Sequence, residues 1–593
     1  MVTTLPGLLL NTLSIYPKPQ FMLVKKAGRY TPISSAEFGD AVRHYALGLQ
    51  TLGQGRGDKL VILSENRPEW VMTDFANLCL GGITVPVYTT LVSEQIKYLI
   101  NDSDARIVVV SSADQWRKLD AIRSELPQVR YFISLETKPP AEGVLSLAEV
   151  MAKGRAVDAA QPALFESLAR AVQPSDEASI IYTSGTTGLP KGVILTHANF
   201  VSNIISVSNI IEFSIKDTVL SFLPLSHVLE HMVTFTYIYK GCTIAYAESI
   251  ETVGENLLEV HPQIMVSAPR VFEKIYAKVM DTVLAGSSLR RKLFFWGLKV
   301  GKAYGARKLL GQTPGGWLSF RHGLAHKLVH SKIMEKMGGQ IRFFVSGGAP
   351  LSPDIAEFFH AVGLIILEGY GLTETSPVVA INTFAKIKFG SVGPILPGVE
   401  VRIAADGEIL VRGPNVMKGY YKKPAETAEV FADGWFKTGD IGVLDADGLL
   451  TIPDRKKDLL VTAGGKNVAP QPIENILKTN PYIANAVVTG DRRRFISALI
   501  VPHFEKLEEY ARFCKIPFAD RAELIRSELI INFIKSEIER ATPHLAPYER
   551  IKKIVLLERD FEIAEGEMTP SLKVRRTIVE AKYKSILDDL YEE

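Results

Sequence analysis

The sequence predicts an α/β fold in which a long α/β part is followed by a shorter α+β part. Short apolar runs at 59–64, 106–111 and 342–346 alternate with longer helical patterns, which is typical of buried parallel strands covered by helices. Later in the chain, short strands are joined by Asp-Gly pairs at 406–407 and 447–448. These pairs predict antiparallel hairpins and a small β subdomain.

One unit of the α/β part can be followed residue by residue. The strand at 342–346 leads into a glycine pair, and a helix then begins at Pro353 behind the N-cap Ser352 and ends at Gly363. A second strand follows at 364–367. Polar loops therefore follow the strand ends, where open α/β sheets bind ligands.

A charged segment at 454–458 marks a change in the pattern, and new strand and helix signals follow it. These signals cover 459–462, 472–479, 484–490 and 495–501. We therefore predict an N-terminal core at 1–456 and a C-terminal domain at 457–593.

Length and composition exclude several classes of protein. The 593 residues would fill roughly four domains of ordinary size, and 47% hydrophobic with 22% charged residues exclude a disordered or collagen-like chain. A net charge of +3 argues against a protein that binds nucleic acid by neutralising phosphates. Cys79, Cys242 and Cys514 have no disulfide or zinc-binding spacing, so we expect a reducing, cytoplasmic location.

The chain shows no signal for secretion or for membrane insertion. Its first ten residues are apolar but lack the basic start and the cleavage site of a signal peptide. No apolar run approaches the ~20 residues of a membrane-spanning helix. We therefore expect any membrane contact to be peripheral.

The most specific local motif is Tyr182-Thr-Ser-Gly-Thr-Thr-Gly-Leu-Pro-Lys-Gly192, which follows an apolar strand. Glycines let backbone N–H groups approach phosphate oxygens, hydroxyl groups add donors and the lysine adds positive charge. The residues of this predicted phosphate-binding loop are Thr183, Ser184, Gly185, Thr186, Thr187, Gly188 and Lys191. Because Pro190 and Gly192 flank the lysine, the loop lacks the Gly-Lys-Ser/Thr end of a P-loop nucleotidase.

The loop resembles the phosphate-binding signature of the adenylate-forming enzymes, the family that includes the acyl-CoA synthetases. Further motifs that resemble this family follow in order at 344–351, 368–374, 436–440, 454–458 and 568–573. The segments at 223–230 and 269–274 resemble the long-chain fatty acyl branch. The resemblance implies a core of two αβ sheets with a small β-barrel-like subdomain, and a smaller, mobile α+β C-terminal domain.

The resemblance also implies roles for single residues. Adenylation brings a carboxylate to a phosphate that is already negative, so the protein must screen their repulsion, and Lys573 is expected to supply that charge. Glu374 is expected to bind Mg²⁺, Thr373 to donate to the α-phosphate, and His227 to lie near the acyl carboxylate and the thiol path. The residues expected to bind ATP and AMP elsewhere are Gly347, Gly348, Ala349, Glu368, Gly369, Tyr370, Gly371, Asp440 and Arg455.

The second half-reaction requires a CoA thiol to reach the acyl-adenylate after pyrophosphate has left. The resemblance implies that the C-terminal domain rotates about Lys457, which withdraws Lys573 and brings Gly464 and Gly465 to the path of CoA. An ordinary hairpin turn is the alternative interpretation of this glycine pair.

One competing chemical motif lies between His227 and His231, which spell H-x-x-E-H, the inverted zinc-protease signature. A five-residue pattern such as this one can occur by chance. The preceding Leu-Pro-Leu-Ser and the later acyl-synthetase motifs explain the segment better than a zinc site does. We therefore expect no zinc.

Positive charge is concentrated at 286–340, where eleven Lys and Arg face one acid, a net charge of +10. The aromatic residues among them are Phe294, Phe295, Trp296, Trp317 and Phe320. This combination predicts peripheral contact with anionic lipid headgroups. A solvated helical hairpin, an oligomer contact or docking of nucleotide phosphates are the alternatives.

Together these observations predict an ATP-dependent long-chain fatty acid:CoA ligase that uses Mg²⁺, forms acyl-AMP and pyrophosphate, and then forms acyl-CoA and AMP. A fatty acyl-AMP ligase or an acyl carrier protein ligase is the enzymatic alternative. A catalytically silent binder of acyl chains or nucleotides is the alternative from another class. Glu374 and Lys573 argue against it, because a pure binder needs neither a magnesium ligand nor a mobile lysine.

Overall fold

The computed structural model describes residues 2–183, 189–563, 565–569 and 573–592. Its helices are, in chain order, α1 (Leu5–Ile15), α2 (Ser35–Thr51), α3 (Pro68–Cys79), α4 (Ser93–Ser103), α5 (Ala113–Asp120), α6 (Leu147–Ala160), α7 (Leu164–Ala171), α8 (His197–Ile210), α9 (Val228–Tyr239), α10 (Val253–Val260), α11 (Pro269–Leu284), α12 (Ser288–Leu309), α13 (Gly316–Ala325), α14 (Ser331–Glu335), α15 (Pro353–Ala361), α16 (Pro424–Val430), α17 (Pro470–Leu477), α18 (Phe504–Phe513), α19 (Arg521–Arg526), α20 (Glu528–Ala541), α21 (Arg576–Lys582) and α22 (Lys584–Asp589). Short 3₁₀ turns lie at Arg123–Glu125 and Thr373–Thr375, and a π-helical turn lies at His326–His330.

The strands of the described residues are, in chain order, β1 (Met22–Lys26), β2 (Arg29–Ile33), β3 (Lys59–Leu63), β4 (Ile83–Val87), β5 (Ile107–Val110), β6 (Tyr131–Ser134), β7 (Val144–Ser146), β8 (Glu177–Thr183), β9 (Lys191–Thr196), β10 (Thr218–Ser221), β11 (Thr243–Tyr246), β12 (Ile264–Ser267), β13 (Phe343–Ser346), β14 (Ile365–Gly371), β15 (Val378–Ile381), β16 (Gly393–Pro394), β17 (Glu400–Ile403), β18 (Glu408–Arg412), β19 (Gly419–Tyr420), β20 (Phe431–Ala432), β21 (Trp435–Ile441), β22 (Val443–Leu444), β23 (Leu449–Thr451), β24 (Leu460–Val461), β25 (Asn467–Val468), β26 (Ile483–Thr489), β27 (Ile496–Pro502) and β28 (Ile551–Leu556).

Two mostly parallel eight-stranded sheets build the N-terminal domain. The first has the order β7-β6-β5-β3-β4-β8-β9-β19 and is parallel from β7 to β8. The second has the order β2-β1-β11-β10-β12-β13-β14-β15 and is parallel from β1 to β14. The apolar runs predicted as strands are confirmed as β3, β5 and β13, and all three strands are buried, as parallel strands covered on both faces must be.

Aromatic packing joins the two sheets into one core. A single hydrophobic cluster contains strands of both sheets together with α3, α8 and α9. At its centre the ring of Phe235 meets the rings of Phe75 and Phe200 edge to face, with centroids 5.3 Å and 5.5 Å apart. Each side chain of this size contributes roughly 1.5–3 kcal/mol when it is fully buried. The cluster holds the ends of the two sheets in a common position.

Close helix packing at one edge of the core depends on glycine. In α2 and α6, a Cβ atom added at Gly48 would lie 2.1 Å from the backbone oxygen of Val150, and one added at Gly154 would lie 1.7 Å from that of His44. The two helix backbones therefore touch directly, which only glycine permits at these positions.

The predicted unit in the second sheet is confirmed. Strand β13 leads through the glycine pair to α15, which begins at Pro353 after the N-cap Ser352. The helix ends before Gly363, whose φ of +90° is accessible to glycine at little cost. Strand β14 starts one residue later than predicted and extends to Gly371, so that it carries the whole segment at 368–371 to the end of the sheet.

The small β subdomain is also confirmed. It contains the antiparallel sheets β17-β18-β21-β20 and β16-β23-β22. The turns that join β17 to β18 and β22 to β23 contain the predicted Asp-Gly pairs, and Gly407 and Gly448 have φ values of +86° and +74°. The subdomain places Asp440, on β21, beside the end of β14.

The C-terminal domain has a hydrophobic core of its own around the sheet β26-β27-β28. The helix predicted at 472–479 is α17, which begins at Pro470 because proline is favoured in the first turn of a helix. The domain contacts the N-terminal domain directly. Arg270 donates to the backbone oxygen of Ala484 at 3.0 Å, and Lys506 pairs with Asp281.

The basic segment at 286–340 forms α12, α13, the π-helical turn and α14 on one side of the N-terminal domain. Its aromatic residues divide into two groups. Phe294 packs in the core against Phe358, and Trp296 is half-buried beneath Arg321, so these two rings do not belong to an exposed face. The exposed rings are Phe295, Trp317 and Phe320. In the described part of the chain, no helix combines the length and the hydropathy needed to cross a membrane.

Candidate functional site

Strands β8 and β9 present the two ends of the predicted phosphate loop side by side. Thr183 lies opposite Lys191 in the antiparallel register, and its hydroxyl donates to the backbone oxygen of that lysine at 3.5 Å. Ser184, Gly185, Thr186, Thr187 and Gly188 lie outside the described residues. The edge strand β19 pairs with β9 through Tyr420 and Val193, and so lies next to the strand that follows the loop in sequence.

The turn after β13 approaches the same region from the second sheet. Gly347 is buried, and a Cβ atom added there would lie 2.9 Å from a methyl carbon of Leu229 on α9. Gly348 has a φ of +85°, and both Gly348 and Ala349 are exposed. The turn therefore presents open backbone beside the start of α9, as expected for a surface that contacts a flat ligand.

The end of β14 carries the predicted Glu368-Gly369-Tyr370-Gly371 segment. The Tyr370 hydroxyl donates to Oδ2 of Asp440 at 2.7 Å, and Nε of Arg455 lies 3.2 Å from Oδ1 of the same carboxylate. The structure thus brings Tyr370, Asp440 and Arg455 together, although Tyr370 and Arg455 are 85 residues apart in sequence. Burial raises the pKa of Glu368 to about 8, so that its carboxyl is largely protonated at neutral pH.

The 3₁₀ turn after β14 carries Thr373 and Glu374. The Glu374 carboxylate accepts a hydrogen bond from the Tyr420 hydroxyl at 2.9 Å, and Nζ of Lys191 lies 5.2 Å from the centre of the Tyr420 ring. Burial raises the pKa of Glu374, while the hydrogen bond from Tyr420 and the charge of Arg455 oppose that rise. The Tyr420 side chain therefore contacts a carboxylate through its hydroxyl and an ammonium group through its ring.

Lys573 enters the same cleft from the C-terminal domain. The side chain keeps contact with solvent, but protein surrounds the cleft, and this partial desolvation lowers the pKa of Lys573 to about 8. Arg455 and Lys457 also lower it, while Asp440 raises it. Burial, together with the charge of Lys573, lowers the pKa of His227 to about 4, so the imidazole is neutral at pH 7.

The loop that carries Lys573 is held by a buried carboxylate. Glu567 has no exposed side-chain surface, and both of its oxygens lie 2.8 Å from guanidinium nitrogens of Arg559. Lys582 lies 3.0 Å from the same carboxylate. The backbone N–H of Lys573 donates to the Thr569 hydroxyl at 3.0 Å, which closes the base of the loop.

The H-x-x-E-H segment separates into unrelated contacts. Nδ1 of His227 accepts from the backbone N–H of Leu229 and caps α9, whereas His231 is buried and lies 2.8 Å from Asp74. Glu230, one residue earlier, accepts from the Ser221 hydroxyl at 2.5 Å. Among the described residues, no group of three or more His, Cys, Asp or Glu side chains is arranged to hold a metal ion.

Lys457 and the glycine pair lie on the C-terminal side of the cleft. A cavity of about 260 Å³ is lined by Thr438, Gly439, Arg455, Lys456 and Lys457. Gly464 and Gly465 form the exposed turn between β24 and β25, where the N–H of Gly465 donates to Thr462 at 2.8 Å. In this arrangement they are a hairpin turn, the alternative interpretation given above.

Three contributors to the site were not identified from the sequence. Tyr420 binds Glu374, Thr438 accepts a hydrogen bond from the backbone N–H of Asp440, and Glu567 anchors the Lys573 loop. Thr438 lies within a motif that was recognised, and Glu567 directly precedes the motif at 568–573, whereas Tyr420 acts on a residue 46 positions away in sequence. A Gly-Tyr-Tyr run at 419–421 was the one visible signal for Tyr420.

Comparison with protein families decides where the chain belongs. A model of the AMP-binding enzyme family matches residues 16–421, and a model of the AMP-binding enzyme C-terminal domain matches residues 457–593. The chain belongs to the AMP-binding enzyme family. The resemblance inferred from the ordered motifs is thereby confirmed.

Members of the AMP-binding family resemble this chain over nearly its full length. Long-chain-fatty-acid--CoA ligase FadD15 of Mycobacterium bovis is 36% identical over 578 residues, which are 97% of this chain and 95% of that protein. Long-chain-fatty-acid--CoA ligase ACSBG1 of Bos taurus is 32% identical over 622 aligned residues, covering 98% of this chain and 84% of that protein.

Solved structures of the family share the fold. The adenylation domain of a carboxylate reductase from Mycobacterium chelonae has a TM-score of 0.76 at 21% identity, covering 100% of this chain and 91% of that one. A Mycobacterium tuberculosis fatty acyl CoA synthetase has a TM-score of 0.62 at 20% identity, covering 98% and 99%. The predicted architecture, a large two-sheet N-terminal domain and a smaller C-terminal domain, is confirmed.

The anchor of the Lys573 loop can be tested by mutation. We expect Glu567→Ala to reduce the free energy of unfolding of the C-terminal domain by about 1–2 kcal/mol, because it removes the buried partner of Arg559 and Lys582, two cations that are themselves more than a third exposed. Glu565→Ala, which removes an exposed partner of Lys582 only, should have little effect. Urea unfolding measures the stability of each variant, and ATP–pyrophosphate exchange measures its activity. Equal losses in both variants would contradict an anchoring role.

Proposed function

We propose that this member of the AMP-binding family is an ATP-dependent long-chain fatty acid:CoA ligase. The observation that carries the proposal is the convergence of Lys573, from one domain, on the Tyr370, Asp440 and Arg455 group of the other domain. A mobile lysine beside a preorganised polar group is what adenylation of a carboxylate requires. The names of two relatives that align over most of the chain support the long-chain fatty acid and CoA as substrates.

The first step joins the fatty acid to the nucleotide. A carboxylate oxygen attacks the α-phosphorus of ATP, and the bond from phosphorus to the pyrophosphate oxygen breaks, which gives acyl-AMP and pyrophosphate. We propose that Lys573 screens the repulsion between carboxylate and phosphate, with Thr373 and the phosphate loop as donors. Asp440 is placed to accept from the ribose hydroxyls, while Tyr370 and the turn at 347–349 enclose the adenine.

Glu374 is our candidate for the protein ligand of Mg²⁺. The residues fit a hard cation, because the site offers a carboxylate oxygen beside the predicted phosphate loop and a phenol that fixes the other oxygen. When bound, Mg²⁺ neutralises charge on the phosphate oxygens of the nucleotide. Nζ of Lys191 lies 5.2 Å from the centre of the Tyr420 ring, and we propose that it reaches a phosphate of the same nucleotide.

The second step transfers the acyl group to CoA. The CoA sulfur attacks the acyl carbonyl carbon, the bond to the AMP oxygen breaks, and the thiol proton leaves. We propose that the chain divides into the units 1–456 and 457–593, and that the second rotates about Lys457, which removes Lys573 and moves the Gly464-Gly465 turn to the path of the thiol. A neutral His227 can orient the carboxylate or the thiol as a hydrogen-bond partner.

The assignment of substrate and acceptor is tested by measuring product release. We expect pyrophosphate release with long-chain fatty acids, and AMP release with acyl-CoA formation only after CoA is added. Pyrophosphate release with no transfer to CoA would favour a fatty acyl-AMP or acyl carrier protein ligase. Binding of ATP and fatty acid without any release would favour a silent binder.

Lys573 should separate the two half-reactions. We expect Lys573→Ala to reduce fatty-acid-dependent adenylation at least about 10²-fold, because it removes a preorganised charge, while thioester formation from supplied acyl-AMP stays nearly unchanged. Lys584→Ala, an exposed lysine of the same domain, is the control. Equal loss in both half-reactions would contradict a lysine that serves the first step alone.

We further propose that the basic segment at 286–340 holds the protein against an anionic membrane surface on the cytoplasmic side. The side chains of Trp317 and Phe320 are 72% and 64% exposed on α13, and their rings stack with centroids 5.8 Å apart. Exposed cationic side chains of the same segment include Arg307 and Lys308 at the end of α12. Aromatic rings within a cationic field favour anionic headgroups.

Vesicle binding tests this contact. We expect the protein to co-sediment at low salt with phosphatidylglycerol-containing vesicles, to be released at high salt, and to bind pure phosphatidylcholine poorly. The double variant Trp317→Ala, Phe320→Ala should bind at least about fivefold less, whereas Phe513→Ala, an 87% exposed ring on α18, should bind normally. Absence of co-sedimentation at low salt would refute the proposal.

A further inference from the structure

The side chain of Tyr420 contacts two charged residues of the site. Its hydroxyl donates to Oε1 of Glu374 at 2.9 Å, and the ammonium of Lys191 lies 5.2 Å from the centre of its ring. Burial raises the pKa of Tyr420, and the nearby Glu374 carboxylate raises it further. Tyr420 therefore remains a protonated donor at physiological pH.

The backbone holds Tyr420 in this position from several directions. Strand β19 pairs Tyr420 with Val193, and the N–H of Tyr421 donates to the backbone oxygen of Gly192 at 2.7 Å. The N–H of Tyr420 itself donates to the Thr427 hydroxyl at 2.9 Å. The pairing with Val193 and the bond to Gly192 attach the backbone of this segment to β9, the strand that carries Lys191, and the bond to Thr427 attaches it to α16.

The same segment is also tied to Glu374. The N–H of Met417 donates to the backbone oxygen of Glu374 at 2.8 Å, and the Asn415 side chain donates to the backbone oxygen of Thr375 at 2.9 Å. The segment at 415–421 therefore connects the phosphate-loop strand of the first sheet with the 3₁₀ turn of the second. Neither sheet alone fixes the distance between Lys191 and Glu374.

We propose that Tyr420 is a positioning residue that separates Lys191 from Glu374 and aims the carboxylate at the metal of the nucleotide. In the described part of the chain these two opposite charges make no direct ion pair: the carboxylate accepts from the Tyr420 hydroxyl, and the ammonium lies over the Tyr420 ring. Without the ring, the flexible lysine and the carboxylate could neutralise one another. The lysine would then no longer be available to bind the phosphates, and the carboxylate would no longer be available to bind the cation.

The hydroxyl and the ring have separable roles. The hydroxyl holds one carboxylate oxygen, so that the other is presented in a constant direction, and a hydrogen bond to a charged group is among the stronger ones in proteins. The ring provides a face for the ammonium, which is attracted to it without being neutralised. Removing the hydroxyl alone should therefore weaken handling of the metal more than binding of the phosphates.

Two substitutions and a neighbouring control test this division. Tyr420→Phe keeps the ring, and we expect the Mg²⁺ concentration that half-saturates ATP–pyrophosphate exchange to rise about three- to tenfold, with the KM for fatty acid unchanged. Tyr420→Ala removes the spacer as well, and we expect the KM for MgATP to rise at least about tenfold further. Tyr421→Phe loses only a hydrogen bond to Asp104 at 3.0 Å and should behave as wild type.

A measurement without turnover completes the test. The rise in Tm produced by MgATP should be smaller in Tyr420→Phe than in wild type, while the rise produced by ATP with a chelator should be equal in both. Melting without ligand shows whether each variant is folded, and the conservative phenylalanine keeps the packing of β19. Unchanged Mg²⁺ dependence and unchanged Tm shifts in Tyr420→Phe would overturn the proposal.

The inference rests on the proposed ligase activity, but the two fail differently. If wild-type protein shows no fatty-acid-dependent exchange, the proposed function is wrong, and the Tm shifts with MgATP still report on Tyr420. If wild-type protein is active and Tyr420→Phe matches Tyr421→Phe in every measurement, the ligase assignment stands and the positioning role is wrong.

Discussion

The buried carboxylate of Asp440 is the group on which the geometry of the site depends, because it joins three parts of the chain. One oxygen accepts from Tyr370 at the end of the second large sheet, and the other is paired with Arg455 at the junction of the two domains. Asp440 itself belongs to the small β subdomain and is only 4% exposed. A charge so poorly screened by water holds its partners firmly. The position of this carboxylate is therefore fixed by the second sheet and by the segment that leads into the C-terminal domain.

Positive charge from separate elements surrounds this point. Arg455 and Lys457 come from the segment that follows β23, and Lys573 comes from the C-terminal domain. Loss of water, together with repulsion from Arg455 and Lys457, lowers the pKa of Lys573 to about 8, so an incoming anion would stabilise its ammonium. Because this lysine is attached to a domain with its own core, the proposed rotation would move it without disrupting that core.

Local sequence patterns predicted the elements well where the physical cause was local. The Asp-Gly turns, the helix start at Pro353 and the glycine that ends the same helix depend on a few neighbouring residues, and all are confirmed. The predictions were less complete where burial decided the outcome. Phe294 and Phe295 are adjacent in sequence, yet one belongs to the core and the other to the surface. Only the packing of α12 against α15 makes this distinction.

The sequence by itself determined the family, the order of the motifs and the identities of most candidate site residues, because glycine, hydroxyl and charged residues in a phosphate site are constrained by local chemistry. Only the tertiary structure decided which of these side chains meet. In the folded chain His231 pairs with Asp74, whereas His227 caps the start of α9. Asp440 contacts both Tyr370 and Arg455. Tyr420 contacts both Lys191 and Glu374. Such contacts join residues from different sheets and domains, and their distances follow from the packing of whole elements, which no short segment of the chain encodes.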